Sequence, residues 1–257
     1  MTDTASTPNA VQAPSPQSLQ GRVALITGGS RGLGAAIAQV LGESGMRVAL
    51  ADLELQRAQD CAAMLGEQDI EAIALPLNVS DAAQCQRAVD ATVDKFGRID
   101  ALVNNAAVDV TAPLAELSVE DWLRVLHTNL SGPFLMTKYA TAQMAKQSGG
   151  GHVVNVASTA SKRAWPNASA YHATKWGLLG LSHALHAELR DQGIRVGAVV
   201  AGGMKTPFLL DRFPGIDETK LQDPINVACA VRFMLQQPEG TVIPELTVLP
   251  MQETSWP

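Results

Sequence analysis

Cysteine and aromatic residues are scarce in this sequence. Only three cysteines occur among 257 residues, at Cys61, Cys85 and Cys229, and aromatic residues make up 4%. An odd number of widely separated cysteines is typical of reduced thiols, and it excludes a disulfide framework or a cysteine zinc site. We therefore expect a cytoplasmic protein with no metal, whose core consists mainly of Ala, Val, Leu and Ile.

The sequence also has no excess of positive charge. The chain has 25 acidic residues against 19 lysines and arginines, which gives a formal net charge of −6. Binding to nucleic acid or to an anionic membrane needs a basic surface, so we expect neither partner. No apolar run reaches the ~18 residues that a membrane-spanning helix requires.

The first twenty residues lack the features of a secretory signal. The range 1–20 has neither a positively charged start nor an apolar stretch, and it is rich in Pro, Ser, Thr and Gln. This composition predicts a disordered N-terminal extension over 1–20, followed by one domain over 21–257.

Beyond residue 20, short apolar runs alternate with stretches of helical length. Runs that are apolar on both faces are typical of parallel strands covered by helices. The alternation predicts a single α/β doubly wound (Rossmann) domain with a seven-stranded parallel sheet flanked by helices. The predicted strands are Val23–Ile26, Arg47–Ala51, Ala72–Leu77, Ala101–Asn104, His152–Val156, Arg195–Val200 and Leu246–Leu249. The predicted helices are Ala35–Leu41, Glu54–Gly66, Ala82–Phe96, Val119–His127, Phe134–Lys146, Tyr171–Gln192 and Asn226–Leu235. The long irregular range 202–224 is interpreted as a substrate loop.

A glycine-rich loop follows the first predicted strand and opens the first helix. Gly28, Gly32 and Gly34 have a G-x-x-x-G-x-G spacing. Glycine permits a tight turn and a close approach to a pyrophosphate, which free amides and the helix dipole can then bind. The position in a βα unit favours a dinucleotide-binding loop over an ordinary turn, which the glycines alone would not exclude.

An acid, Asp52, ends the second predicted strand. Its carboxylate can accept hydrogen bonds from an adenosine ribose and would repel a 2'-phosphate, which favours NAD over NADP. Arg31, beside the glycine loop, could instead bind a 2'-phosphate, so NADP stays possible. Asp52 could also simply cap the helix that follows it.

A tyrosine and a lysine, Tyr171 and Lys175, have helical i,i+4 spacing. At this spacing both side chains lie on one helix face. A lysine charge favours the phenolate, so we predict a lowered Tyr171 pKa and an acid/base pair. Ser158 could hold a substrate oxygen. Such pairs are also common on helix surfaces, and Ser158 could be only a turn former.

In combination these residues resemble the short-chain dehydrogenase/reductase family over about residues 21–257. The matching segments are TGGSRGLG at 27–34, Asp52, NNAA at 104–107, Asn129, Ser158 and YHATK at 171–175. The resemblance implies that Ser158 polarises the substrate oxygen and that Tyr171 is the general acid/base. It implies that Lys175 lowers the tyrosine pKa and binds the nicotinamide ribose, while Asn129 supports a relay water. The implied cofactor contacts are Gly28, Ser30, Arg31, Gly32, Leu33, Gly34, Asp52, Leu53, Asn78, Val79, Asn105, Ala106, Ala107, Tyr171, Lys175, Gly203 and Thr206.

Three positions depart from the family pattern. Asn78 stands where the family more often has an Asp beside the adenine, and its amide can still donate and accept there. Ala107 replaces a glycine and adds a methyl group near the cofactor. The run AGGMKT at 201–206 replaces Pro-Gly-x-x-x-Thr, and loss of the proline predicts a looser loop beside the nicotinamide.

Several other residues are candidates for secondary roles. His183 and His186 share a helix face, but without an acid or cysteine nearby we expect no metal there. His172 is not expected to be catalytic, because adjacent helical residues do not face each other. The predicted substrate wall, for which plain packing is an equal alternative, consists of Trp165, Asn167, Met204, Phe208 and Leu209.

The resemblance implies an NAD-dependent oxidoreductase that interconverts a small-molecule secondary alcohol and ketone, with Tyr171 as general acid/base. Two alternatives stay open: an NADPH-dependent 3-oxoacyl reductase, and a non-catalytic dinucleotide-sensing protein on the same fold. Members of the family usually form dimers and tetramers through the helices at the catalytic segment and the last strand. We therefore expect a homotetramer, with Trp256 near an interface.

Overall fold

The computed structural model describes residues 15–253. Its strands are β1 (Val23–Thr27), β2 (Arg47–Asp52), β3 (Ala72–Pro76), β4 (Ala101–Asn104), β5 (Gly151–Ser158), β6 (Ile194–Ala201) and β7 (Glu245–Val248). They form a parallel sheet in the order β3-β2-β1-β4-β5-β6-β7. The chain therefore reverses its direction of travel across the sheet between β1 and β4. In doubly wound sheets, ligands bind outside the carboxyl ends of the strands at this switch point.

The described part of the chain contains eight α-helices. They are α1 (Gly32–Glu43), α2 (Leu55–Gly66), α3 (Ala82–Phe96), α4 (Val119–Leu126), α5 (Gly132–Met144), α6 (Ser169–Leu189), α7 (Pro207–Leu210) and α8 (Pro224–Leu235). Among residues 15–253, none of the helices is long and apolar enough to cross a membrane.

Both faces of the sheet are buried, because successive strand residues point to opposite sides. Ala24 and Ile26 of β1 pack in one core cluster with α1, α2 and α8. Val23 and Leu25 pack in the other with α3 and α5. The continuous apolar runs seen in the sequence follow from this arrangement, and the predicted doubly wound parallel sheet is confirmed.

Several helix ends follow local sequence signals. Asp81 accepts hydrogen bonds from the Ala83 and Gln84 amides at the start of α3, and Gly97 ends that helix with φ 81°. Ser118 caps α4 and Asp223 caps α8 in the same way. Each side-chain cap satisfies a backbone donor that has no partner within the helix.

Element boundaries differ from the predicted ones by up to three residues. The first helix begins at Gly32 and not at Ala35, because the glycine loop itself adopts the first helical turn. The catalytic-segment helix begins at Ser169, two residues before the predicted start, and ends as an α-helix at Leu189. The range predicted as an irregular loop contains the short helix α7.

The predicted N-terminal boundary is wrong for the residues just before position 20. Leu19 is only 3% exposed, and the Gln17 amide donates to the Gln236 carbonyl at 2.8 Å. A single leucine that fills a gap in the core leaves too weak a signal in a polar run to be detected from composition. The earlier residues 1–14 and Trp256 lie outside the described residues.

Candidate active site

A cavity of about 1100 Å³ opens along the carboxyl ends of the strands, at the switch point between β1 and β4. Its volume is that of a large ligand site. The cavity extends from Arg31 and Asp52 at one end to Tyr171 and Trp165 at the other. Among the predicted cofactor and catalytic residues, all but Ser30, Gly34 and Asn129 line it. The predicted wall residues Trp165, Asn167, Met204, Phe208 and Leu209 line it as well.

The glycine loop fits tightly between β1, β4 and α1. Gly28 has φ 63° and Gly32 has φ 54°, a backbone region that other L-residues rarely adopt. A Cβ on Gly34 would stand 2.0 Å from the Gly28 carbonyl oxygen. The helix N-cap residue, Arg31, makes no side-chain capping hydrogen bond. The first amides of α1 are therefore left free to meet an anion in the cavity.

Asn105 and Thr27 hold the glycine loop against β4. The Asn105 side-chain amide donates to the carbonyl oxygens of Thr27 and Gly28, both at 3.0 Å. The Thr27 hydroxyl accepts from the backbone amides of Asn105 and Ala106 at 3.1 Å. The predicted cofactor residue Asn105 thus shapes the loop through its side chain.

The Asp52 carboxylate accepts two backbone hydrogen bonds. Its Oδ2 accepts from the Ser30 amide and its Oδ1 from the Glu54 amide, each at 3.1 Å. It therefore positions the glycine loop and turns the chain toward α2, but the N-cap of α2 is Glu54, which receives no side-chain cap, so the helix-cap alternative for Asp52 is wrong. Its side chain still lines the cavity, and each carboxylate oxygen can accept a further hydrogen bond. Arg31 lies at the rim, 3.5 Å from Asp211, with both side chains exposed.

Asn78 is less available to an adenine than its sequence position suggested. Its Oδ1 accepts from the Ser80 amide at 3.0 Å and from the Ser80 hydroxyl at 2.6 Å. This local turn orients the amide because a short polar side chain readily bonds to the backbone two residues on. The acceptor end is therefore committed, and the amide nitrogen is the group left for a ligand.

Tyr171, Lys175 and Ser158 meet at the inner end of the cavity. Tyr171 and Lys175 lie one turn apart near the start of α6, and both are buried. The Lys175 Nζ donates to the Val156 carbonyl at 2.7 Å and lies 5.6 Å from the centre of the Tyr171 ring. Ser158 ends β5, and its hydroxyl accepts from the Ala160 amide at 3.2 Å. A surface location for the pair is excluded.

The predicted lowering of the Tyr171 pKa is wrong for the protein without ligand. Burial raises the pKa of Tyr171 to about 12, and a hydrogen bond with Ser158 only partly opposes this effect. Burial also lowers the pKa of Lys175 to about 8, while the charge of Asp109 acts in the opposite direction. Removal of water disfavours the charged form of each group, and for Tyr171 this cost exceeds the help that the Ser158 hydroxyl and the Arg212 charge give the phenolate.

Asn129 lies in a π-helical turn, His127–Ser131, between α4 and α5. Its Oδ1 accepts from the Val108 amide at 2.8 Å, and its Nδ2 donates to the Val108 carbonyl at 2.7 Å and to the Thr174 hydroxyl at 3.3 Å. The side chain thus ties the segment after β4 to α6. Its support of a relay water stays a prediction.

The segment 201–206 is held firmly, contrary to the looseness predicted from its missing proline. The Gly202 amide donates to the Val248 carbonyl at 2.9 Å, and the Lys205 amide donates to the Gln222 carbonyl at 2.9 Å. Met204 and Gln222 also form an isolated parallel bridge. Backbone pairing with distant residues replaces the restriction that proline would impose, and sequence proximity does not reveal such pairing.

Two charged residues of the site were missed from the sequence. Asp109, after β4, forms an ion pair with Arg212, after α7, and both line the cavity. Arg212 also stacks over the Phe208 ring at 4.0 Å. The position of an acid shortly after the NNAA motif was the only sequence feature that could have indicated Asp109. Its pairing with Arg212 could not be predicted, because the two residues lie 103 positions apart in the chain.

His172 and His183 make contacts with neighbouring residues. His172 points toward Trp165: its Nε2 accepts from the Trp165 amide at 3.3 Å and its Nδ1 lies 2.7 Å from the Ala168 carbonyl. An acid does lie near His183, because Glu245 approaches it at 3.9 Å, which corrects the sequence reading. Even so, no group of three or more potential ligands for a metal occurs in the described range 15–253.

Comparison with known proteins agrees with this geometry. The profile of the short chain dehydrogenase family matches residues 22–215. A D-threitol dehydrogenase of Mycolicibacterium smegmatis is 44% identical over 70% of this chain and 69% of its own. A 3-oxoacyl-[acyl-carrier-protein] reductase of Synechocystis is 35% identical over 88% of this chain and 93% of its own.

A solved structure shows the same fold with a bound dinucleotide. It is the 3-ketoacyl-(acyl-carrier-protein) reductase of Brucella melitensis complexed with NADH, 31% identical, with a TM-score of 0.82. The match covers 91% of this chain and 99% of that one. From the family profile, the relatives and the geometry together, the chain belongs to the short-chain dehydrogenase/reductase family of NAD(P)-dependent oxidoreductases.

Proposed function

We propose that this protein interconverts a secondary alcohol and a ketone with NAD as its preferred cofactor. The observation that carries the proposal is that Tyr171 and Lys175, both buried, line with Ser158 the same cavity that the glycine loop also lines. A phenol kept from water, next to a second hydroxyl and an ammonium group, suits proton transfer to or from a substrate oxygen.

The residues at the outer end of the cavity fit a dinucleotide. The uncapped start of α1 and the glycines Gly28 and Gly32 suit a pyrophosphate. Asp52 suits the hydroxyls of an adenosine ribose. When bound, the nicotinamide group supplies or accepts the hydride.

The proton moves through the side chains of this chain. In ketone reduction, Tyr171 donates its phenol proton to the oxygen that becomes the hydroxyl, and Ser158 donates a hydrogen bond to the same oxygen. In alcohol oxidation, Tyr171 takes that proton. Lys175, fixed by the Val156 carbonyl, keeps a positive charge near the phenol while it is protonated.

The direct experiment is a panel of secondary alcohols with NAD and of ketones with NADH, followed by NADH absorbance. Turnover of at least one pair in both directions supports the proposal. Binding of NADH without turnover of any alcohol or ketone in the panel would favour the dinucleotide-sensing alternative. The presence of Ser158, Tyr171 and Lys175 argues against that alternative, because a sensor needs no acid/base pair.

Cofactor preference tests the role of Asp52. Asp52→Ala is expected to lower the ratio of kcat/KM for NADH over NADPH by about 10- to 100-fold. This is the size expected from losing hydrogen bonds to a charged group together with a repulsive charge. Steady-state kinetics with both cofactors measure the ratio.

Asp52→Asn is the matched control, since Asp52 also holds the Ser30 and Glu54 amides. The amide oxygen of asparagine can keep one of these contacts while the charge is lost. Both variants are expected to lower the ratio. An unchanged NADH preference in Asp52→Ala would refute the assigned role.

An NADPH-dependent 3-oxoacyl reductase is the second candidate. Arg31 at the cavity rim favours it, because the guanidinium pairs with an exposed Asp211 and could turn to a 2'-phosphate. The Synechocystis relative carries that activity in its name. Faster reduction of a 3-oxoacyl thioester with NADPH than of any simple ketone with NADH would select it.

We also propose a homotetramer in the cytoplasm. Val119, Leu123, Phe134 and Trp176 on α4, α5 and α6 are exposed apolar residues near the catalytic segment, and β7 is an edge strand. Exposed apolar patches of this kind often mark interfaces. Sedimentation analysis at micromolar concentration tests the assembly, and a monomer would contradict it. Free Cys61, Cys85 and Cys229 support a reducing compartment.

A further inference from the structure

The ion pair of Asp109 and Arg212 lies in the inner part of the cavity and has no part in the proton transfer described above. Its side chains are 6% and 23% exposed, respectively. Arg212 is fixed from behind, because its Nε donates to the Phe208 carbonyl at 2.7 Å and its guanidinium stacks on the Phe208 ring. Burying two charges is costly unless their remaining hydrogen-bonding capacity is satisfied.

The hydrogen-bonding capacity of the Asp109 carboxylate is only partly used. Arg212 reaches only Oδ2, and Oδ1 is buried without a hydrogen-bond partner among the described residues. Arginine usually binds a carboxylate through both oxygens, so a one-sided contact leaves one oxygen available for another donor. A buried acceptor without a donor is unfavourable, and in a ligand cavity it indicates a donor that the ligand brings.

The carboxylate also lies close to the reacting groups. The charge of Asp109 raises the pKa of both Tyr171 and Lys175. The packing agrees, because the Tyr171 ring lies 5.9 Å from the Phe208 ring, and Arg212, the ion-pair partner of Asp109, stacks over the same Phe208 ring at 4.0 Å. The Asp109 carboxylate thus belongs to the part of the cavity wall that surrounds a substrate whose oxygen contacts Tyr171.

We propose that Asp109 accepts a hydrogen bond from a second hydroxyl of the substrate, adjacent to the one that reacts, so that the substrate class is a vicinal diol or polyol. The inference rests on the proposed alcohol–ketone function. In the bound state the second hydroxyl donates to Oδ1, and the Arg212 guanidinium donates to the oxygen of that hydroxyl. One hydroxyl group can satisfy both residues, since it donates and accepts.

Other substituents fit this pair less well. The charge of Asp109 would repel a substrate carboxylate, and Arg212 cannot compensate because Asp109 already neutralises its charge. A 3-hydroxyacyl thioester has no hydroxyl besides the reacting one, so Asp109 Oδ1 stays without a donor. The pair thus favours diols over both hydroxy acids and the substrates of the second candidate function.

The test compares butane-2,3-diol with butan-2-ol, which differ in one hydroxyl group. The wild-type protein is expected to show a kcat/KM about 10- to 100-fold higher for the diol, the size of a hydrogen bond to a charged group. Asp109→Leu is expected to lower the value for the diol by about this factor more than the value for butan-2-ol. Asp109→Asn is expected to restore part of the difference, because an amide oxygen still accepts.

Two controls separate substrate recognition from general damage. Asp121→Asn alters an exposed ion pair with Arg124 on α4, and the diol preference is expected to stay unchanged. The pH profile supplies a second readout: without the Asp109 charge, the pKa values of Tyr171 and Lys175 fall, so the limbs of the profile they govern move to lower pH. An unchanged profile would instead show that the carboxylate lies too far from Tyr171 to contact a group beside the reacting carbon.

The outcomes distinguish the inference from the function on which it rests. Equal kcat/KM for the diol and butan-2-ol in the wild type, or a preference for 3-hydroxybutanoate over both, overturns the diol inference and leaves the alcohol–ketone function standing. If neither alcohol is oxidised, the function fails, and calorimetric titration of butane-2,3-diol into the NADH-bound protein decides the inference. Binding that Asp109→Leu weakens supports it, and absence of binding overturns it.

Discussion

Replacement of Tyr171 by phenylalanine is expected to lower kcat by about 10²- to 10⁴-fold, the range that a positioned general acid or base contributes. Phenylalanine keeps the ring that packs 5.9 Å from Phe208 and removes the group that carries the proton. Binding of NADH, followed by fluorescence titration, is expected to stay within about twofold because the glycine loop and Asp52 lie at the other end of the cavity.

The other tyrosine of the chain supplies the matched control. Tyr139 packs on the core cluster formed with α3 and α5, so Tyr139→Phe is expected to keep full turnover. If Tyr171→Phe also keeps full turnover on an alcohol or ketone that the wild type uses, the acid/base assignment is wrong.

The pH dependence sharpens the same test. Because burial raises the pKa of Tyr171 to about 12, the phenol of the ligand-free protein is protonated at neutral pH, which is the form that reduction needs. Oxidation needs the deprotonated form, so its rate is expected to rise with pH, and reduction is expected to decline only at high pH. The residual activity of Tyr171→Phe is expected to lack this dependence.

Gly34→Ala is expected to raise the Kd for NADH more than 10-fold and to lower the free energy of unfolding by about 1–3 kcal/mol, the usual cost of overpacking. An added Cβ would stand 2.0 Å from the Gly28 carbonyl oxygen and 2.8 Å from the Asn105 side-chain nitrogen. The first contact is with backbone, which can move only by displacing the glycine loop. Urea unfolding and NADH titration measure the two effects.

Gly180 in α6 provides the same substitution without the clash. Apart from its chain neighbours and the backbone of its own helix, no atom of the described residues lies within 4 Å of a Cβ built there. Alanine is favoured over glycine in a helix interior by about 1 kcal/mol. Gly180→Ala is therefore expected to leave NADH binding unchanged and to stabilise the protein slightly. Wild-type stability and NADH affinity in Gly34→Ala would contradict the packing described for the loop.

The features that were predictable from the sequence have local causes. The apolar runs of the strands reflect burial on both faces, and the glycines mark positions where the backbone is crowded. The alternation of strands and helices allowed the doubly wound sheet to be predicted before any contact was known. The spacing of Tyr171 and Lys175 placed both on one helix face, which is where they lie.

The features that were missed or misjudged depend on burial and on distant contacts. The predicted tyrosine pKa went in the wrong direction because sequence spacing shows the neighbouring charge but not the loss of water. The segment 201–206 was expected to be loose because it lacks the family's proline, and its backbone partners, Gln222 and Val248, lie too far along the chain to be recognised from the sequence. The fold of the N-terminal range near Leu19 was missed for the same reason.

The sequence by itself determined the sheet, because hydrophobic periodicity is a short-range consequence of backbone geometry. The order of its motifs indicated the family, and the i,i+4 spacing placed the proposed proton-transfer residues on one helix face. Only the tertiary structure decided which side chains already have hydrogen-bond partners within the protein and which have groups left for a ligand. It joined Asp109 to Arg212, engaged both ends of Asn129 and left one buried oxygen of Asp109 without a partner. Electrostatics and hydrogen bonding at a site depend on through-space neighbours and on exclusion of water, and neither is encoded in local order along the chain.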